Sequence, residues 1–175
     1  MNKTQFSPHT LLLLDHAAAI SARRGVRLTD LRRQVLGMIL QSDAPPGAYE
    51  LLDRLRVTRH SAAPPTIYRA LDFLLENGLI HRLERLAAFV GCVAHDHPHD
   101  HAHADGCENP GHAAQFLICR GCRRVVEIED PALADALADA AQRAGFTLGQ
   151  ATIEAEGICA ACASAARPTR PASSP

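Results

Sequence analysis

The sequence predicts an α+β chain of two domains, and three observations carry that expectation. Apolar residues recur at helical spacing as far as Leu75, two loosely alternating stretches follow, and two Cys-x-x-Cys pairs, Cys119/Cys122 and Cys159/Cys162, bracket most of the second half. At 175 residues the chain can bury a real core, as one large or two small domains.

In the first half, Leu11–Arg24 reads as a helix, apolar and then polar, with Gly25 suited to its end. Thr29 suits the cap of a second helix whose Val35, Leu36, Ile39 and Leu40 fall on one side. Pro45-Pro46-Gly47 breaks the chain, and Leu51, Leu52 and Leu55 mark a short third helix. Pro64-Pro65 opens a fourth, with Ile67, Ala70, Leu71, Leu74 and Leu75 at i, i+3, i+4, i+7 and i+8. Asn77-Gly78 ends it in a pair that tolerates positive φ. Leu79–Leu83 and Ala87–Val93 then alternate as a short hairpin does.

Helices closed by a hairpin make a winged helix-turn-helix, in which the late helix enters the major groove of duplex DNA. The polar side of the fourth helix carries Thr66, Tyr68, Arg69 and Asp72. Its first-turn N–H groups suit phosphates, the Arg69 guanidinium matches guanine's two acceptors, and Tyr68 suits a thymine methyl or a phosphate. An ordinary core helix with a solvated polar face explains the same residues. Residues 1–85 hold twelve Lys/Arg against eight Asp/Glu, net +4, whereas residues 86–175 hold six against eleven, net −5. The basic half suits a polyanion and the acidic half suits cations.

In the second half, Gln115–Cys119 and Arg124–Ile128 read as strands flanking the first cysteine pair. Leu133–Ala144 reads as an Ala-rich helix ending at Gly145, and Phe146–Glu156 as a strand leading through Gly157 to the second pair. Between Cys92 and Gln115 lie His95, His97, His99, His101 and His103 at every second position, then Cys107 and His112. This stretch has no core-forming pattern and reads as a loop that holds metal loosely. Ser164–Pro175 is rich in Pro, Ser and Ala and reads as disordered.

Two Cys-x-x-Cys pairs supply the four thiolates that a tetrahedral structural zinc takes. A redox dithiol is the competing reading, and it leaves the second pair without a purpose. The other ligand-type residues near the domain junction are His81, Cys92, His112 and Glu127, a mixed N, S and O set of softer affinity. Taken singly, each reads more simply as a surface or satisfied polar residue. Leu11–Leu14 is too short to span a membrane, and polar Thr4, Gln5, Ser7 and Pro8 follow Lys3 where a signal peptide needs an apolar core. A cytoplasmic, reducing location follows, in which six cysteines read as metal ligands before disulfides. An enzyme is not expected: neither cysteine pair follows the proline of the zinc deaminase signature, and four thiolates leave zinc no open position. Zinc storage or metal delivery fits the His-rich loop but gives the basic helical half no role.

The run Pro64-Pro65-Thr66-Ile67-Tyr68-Arg69-Ala70-Leu71-Asp72-Phe73-Leu74, followed by Asn77-Gly78-Leu79-Ile80-His81, resembles the recognition helix and wing of the ferric uptake regulator family. The likeness continues through Cys119-Arg120-Gly121-Cys122 and through Ile153–Cys162, spans roughly residues 8–163, and is strongest to the family's zinc-responsive branch. It implies a homodimeric, metal-sensing repressor on palindromic operators of zinc-uptake genes, with one or two dimers per operator. The implied layout is a winged-helix domain at 1–85, a hinge at 86–92, an α/β dimerisation and metal-binding domain at 93–163 with a His-rich insertion at 94–112, and a tail at 164–175.

By family pattern Cys119, Cys122, Cys159 and Cys162 hold a structural zinc. His81, Cys92, His112 and Glu127 hold a regulatory one, giving two zinc ions per chain, with a loop histidine as the substitute for His112. Arg23, Arg24, Arg27, Arg32 and Arg33 would neutralise phosphates, or form a solvated basic face. The Cys92 thiolate favours zinc over iron or manganese, whose sensors, with peroxide sensors, are the alternative. His95, His97, His99, His101, His103 and Cys107 form a third zinc site, an entry point or a neutral insertion. Asp53 and Arg56 suit a pair between adjacent dimers or an intrahelical pair.

Overall fold

The computed structural model describes residues 6–92, 114–149 and 151–165. They fall into two compact units, Met1–His112 and Ala113–Pro175. The expected His-rich insertion, the accessory ligands His95, His97, His99, His101, His103 and Cys107, and His112 lie outside the described residues.

The first unit opens with helix α1, Pro8–Arg23, which starts earlier than Leu11 because Ser7 caps it. The Thr10 N–H donates to Ser7 Oγ at 3.1 Å, and Pro8 at the first helical position already has the φ that a helix needs. Gly25, at φ 71°, turns the chain out of the helix as expected. Helix α2 spans Asp30–Leu40 with Thr29 at its cap position, although the threonine side chain makes no capping hydrogen bond. Helices α3, Ala48–Thr58, and α4, Pro64–Glu76, follow.

Gly78, at φ 64°, ends α4 and returns the Leu79 N–H to the Leu74 carbonyl at 2.9 Å. The wing is antiparallel: β1, Ile80–Leu83, pairs with β2, Ala88–Gly91, with His81 opposite Val90. The Cys92 N–H extends the ladder by donating to Leu79 O at 3.0 Å. Residues 88–91 of the segment expected as a hinge therefore sit in the wing of the first unit. Leu14, Val35, Leu36, Leu51, Leu52, Leu55, Ile67, Leu71, Leu74 and Phe89 fill one core. Each such side chain contributes about 1.5–3 kcal/mol. The face of α4 that the periodicity marked is thus the buried one, which leaves its polar face outward.

The second unit is a three-stranded sheet in the order β4-β3-β5. Strand β3, Ala114–Cys119, runs antiparallel to β4, Val125–Ile128, and parallel to β5, Thr152–Gly157. Between β4 and β5 lies helix α5, Pro131–Arg143. Asp130 caps it by accepting the Ala132 N–H at 2.9 Å, and the Gln115 amide holds the Asp130 backbone on both its donor and acceptor sides.

Two expectations are corrected here. The strand expected from Phe146 begins at Thr152 and pairs with β3 from Ala114, opposite Thr152, to Cys119, opposite Gly157. Ser164 and Ala165, expected in a disordered tail, complete a short helix α6, Ala160–Ala165, in which Ser164 Oγ donates back to Ala160 O at 2.8 Å. The rest of that tail, 166–175, lies outside the described residues.

Candidate metal centre and nucleic-acid interface

Parallel pairing of β3 with β5 brings the two cysteine pairs together. Cys119 ends β3 opposite Gly157, and two residues beyond Gly157 the chain reaches Cys159. A tight turn carries Cys122 back towards Cys119: the Arg123 N–H donates to Cys119 O at 2.9 Å, with Arg123 itself at φ 60°. The first turn of α6 presents Cys162. All four sulfurs lie within 4.8 Å of one another.

This arrangement fits zinc. Ligands ~2.3 Å from a tetrahedral zinc stand ~3.8 Å apart along an edge, and Cys122 Sγ lies 3.8 Å from Cys159 Sγ. Protonation of the set is already uneven. Backbone N–H groups, that of Cys159 first and at 3.3 Å from the sulfur, bring the Cys119 thiol down to about 6. Its sulfur neighbours, Cys159 first, push the Cys162 thiol up to about 12. Cys119 is thus the corner of the cluster that gives up its proton most readily. Four sulfurs leave zinc no open position, so the site is suited to holding structure and unsuited to catalysis.

The first unit gathers a second donor pair. His81, on β1, and Cys92, just past β2, are held by the hairpin register, with His81 Nε2 2.9 Å from Cys92 Sγ. Cys92 is 2 % exposed. Glu127 belongs to the second unit, half-buried on β4 opposite Phe116. His112 lies outside the described residues.

On α4, Ile67, Ala70, Leu71, Phe73 and Leu74 face the core, which leaves Tyr68 and Arg69 exposed. Thr66 is half-buried in the first turn, where its Oγ1 accepts the Ala63 N–H at 3.5 Å. The five expected phosphate contacts divide. Arg23 and Arg27 are exposed, as is Arg24, which donates to the Asn77 carbonyl at the end of α4. Arg32 donates to Arg27 O at 3.0 Å, and its guanidinium lies 3.5 Å from the centre of the Phe73 ring. Arg33 spans α1, donating to Leu14 O at 2.8 Å and to Asp15 Oδ1 at 2.7 Å. The last two guanidiniums therefore brace helices, a role that sequence reading missed because Phe73 and Asp15 are remote in the chain. Arg56 Nη1 lies 3.2 Å from Asp53 Oδ1, the intrahelical form of that pair.

The sequence profile of the ferric uptake regulator family matches residues 23–156. The chain belongs to this family. It is 40% identical over 150 residues to the zinc uptake regulation protein of Escherichia coli K12, an alignment covering 86% of this chain and 81% of that protein. Among solved structures it resembles a zinc uptake regulator complexed with zinc and DNA, with TM-score 0.78 and 38% identity over 91% of this chain and 98% of that one. It also resembles holo XcZur, with TM-score 0.73 and 39% identity over 87% and 98%. The winged helix and the small α/β unit carrying four cysteines are the two halves of the family fold in this chain. No helix among the described residues is long and apolar enough to cross a membrane.

Proposed function

We propose that this ferric uptake regulator family member is a zinc-responsive transcriptional repressor that binds palindromic operators of zinc-uptake genes as a homodimer, one or two dimers per operator, and is not an enzyme. The reading is carried by 40% identity to a zinc uptake regulation protein across most of both chains. The donor chemistry agrees with it. Cys119, Cys122, Cys159 and Cys162 hold a permanent zinc that closes the second unit, a kind of site that contributes ~10–16 kcal/mol to folding. Leu117 and Val126, opposite each other on β3 and β4, are exposed apolar side chains suited to contact with a second copy of the chain.

His81 and Cys92, with Glu127 and His112 or a loop histidine, form the regulatory site. The thiolate of Cys92 favours zinc over iron or manganese. With ligands on the DNA-binding half and on the dimer half, zinc binding selects one arrangement of the two winged helices, matched to half-sites ~34 Å apart. Shifting such an equilibrium from 1:99 to 99:1 takes ~5.5 kcal/mol of differential affinity, within reach of a metal site. On α4, Thr66, Tyr68 and Arg69 meet the major groove, while Arg23, Arg24 and Arg27 reach phosphates and Arg32 and Arg33 add charge while bracing their helices. The place of work is the cytoplasm.

The test is a gel-shift titration on the promoter of a zinc-uptake gene under buffered zinc, iron or manganese. A shift that zinc alone induces supports the reading. No shift at any zinc level, or a shift driven by iron or manganese, overturns it.

A further inference from the structure

The turn between Cys119 and Cys122 holds Gly121 where any side chain meets a sulfur. A Cβ on Gly121 would stand 2.9 Å from Cys162 Sγ, 3.1 Å from Cys162 Cβ and 3.7 Å from Cys119 Sγ. Non-bonded carbon contacts are comfortable at ~3.5–4.0 Å, so the first two are overlaps. By contrast, a Cβ on Gly157 or Gly149 in the same unit meets nothing within 4 Å.

We infer that Gly121 is a positioning residue for the four-cysteine site: its missing Cβ is the space in which Cys162 completes the tetrahedron. The inference rests on reading the four cysteines as a zinc site. Cys119 and Cys122 are fixed by the turn, and Cys159 is fixed by its N–H bond to Cys119 Sγ at 3.3 Å. Cys162 arrives last, on α6, and crosses the turn directly over residue 121. With a methyl there, its sulfur escapes only by rotating away, which takes it off the fourth corner. The Cβ contact adds that α6 must shift as well. A Cys-x-x-Cys pair specifies two ligands, whereas this glycine admits a ligand from the other pair.

The test uses full-length protein loaded with Co2+ in place of Zn2+, because the thiolate-to-cobalt charge-transfer band grows with each coordinated sulfur. Gly121→Ala is expected to lose about a quarter of the band, one thiolate in four, matching Cys162→Ser, and to release zinc to a chelator about tenfold faster. Gly157→Ala, the same added methyl in open space, is expected to keep the whole band. An undiminished band and wild-type release in Gly121→Ala overturn the inference. A wild-type protein without a four-thiolate band overturns the zinc reading itself. If Gly121→Ala does not fold, it is compared within the Cys162→Gly background, where both the obstructing sulfur and the Cβ behind it are gone. There it must leave soluble yield and cobalt band unchanged, and a further drop in either overturns the inference.

Discussion

His81 Nε2 and Cys92 Sγ lie 2.9 Å apart across the base of the wing, an imidazole and a thiol in hydrogen-bond contact within the first unit. The hairpin register places them there: His81 is the second residue of β1, and Cys92 follows the last residue of β2. Exchanging that buried sulfur for oxygen tests the switch with little change of volume. Cys92→Ser is expected to leave a folded dimer whose operator affinity in saturating zinc falls at least about tenfold, or ~1.4 kcal/mol. Circular dichroism, sedimentation and a gel shift on the same sample check this.

The four-cysteine cluster gives the opposite signature. Cys119→Ser leaves three thiolates where Cys122 and Cys159 stand at a tetrahedral edge of 3.8 Å. We expect loss of the second unit's fold or of the dimer, read as a lower sedimentation coefficient and early thermal unfolding. A variant that kept its dimer and lost only zinc response would refute the structural role.

Proton competition at that cluster has a definite sign. Cys119, brought down to about 6 by backbone donors, is a thiolate at neutral pH, whereas Cys162, raised to about 12, keeps its proton until metal displaces it. Between these values zinc binding expels the Cys162 proton, so affinity rises with pH, about tenfold per unit for each proton displaced. As pH falls through about 6 the Cys119 proton joins the exchange and the dependence steepens. Competition with a chelator of known affinity across pH measures the slope.

Arg123 holds φ 60° directly after Cys122, and Ala87 holds 49° after the short 3-10 turn Glu84–Leu86 between β1 and β2. A left-handed backbone costs a residue with a Cβ about 1–2 kcal/mol, and glycine escapes most of that cost. Arg123→Gly is therefore expected to raise zinc-loaded stability by roughly 1 kcal/mol net of chain entropy, as a higher thermal midpoint with unchanged zinc content.

The arginines separate by role. Arg69→Ala, on the exposed face of α4, is expected to weaken operator binding by about 1–3 kcal/mol and relax preference at one base position. Arg27→Ala is expected to weaken all sequences alike and lower the salt slope by about one. Arg32→Ala removes the guanidinium from Phe73, so it is expected to lower thermal stability as well.

Where residue spacing decides structure, the sequence was readable. Helix α4 was visible from Pro64-Pro65 to Asn77-Gly78 because its apolar stripe is continuous and both ends are punctuated. Helix α6 was missed because Ala160–Ala165 has no apolar stripe, and it is ordered by local bonds such as Ser164 to Ala160. The strand expected from Phe146 is shorter, since among the described residues pairing with β3 runs only over Thr152–Gly157. The four cysteines were plain as a motif, while Gly121 was not: its role exists only once Cys162 crosses it. Arg32 and Arg33 were legible as charge, and their contacts with Phe73 and Asp15 needed the fold.

Operator affinity measured against buffered free zinc, with bound zinc counted on the same sample, tests most directly whether a second zinc at the His81–Cys92 site is the switch. The expected result is an affinity that climbs at least about tenfold as each chain takes up one zinc beyond a four-cysteine site that stays full. An affinity that is flat across that uptake, or one that climbs only as the four cysteines themselves fill, would contradict it.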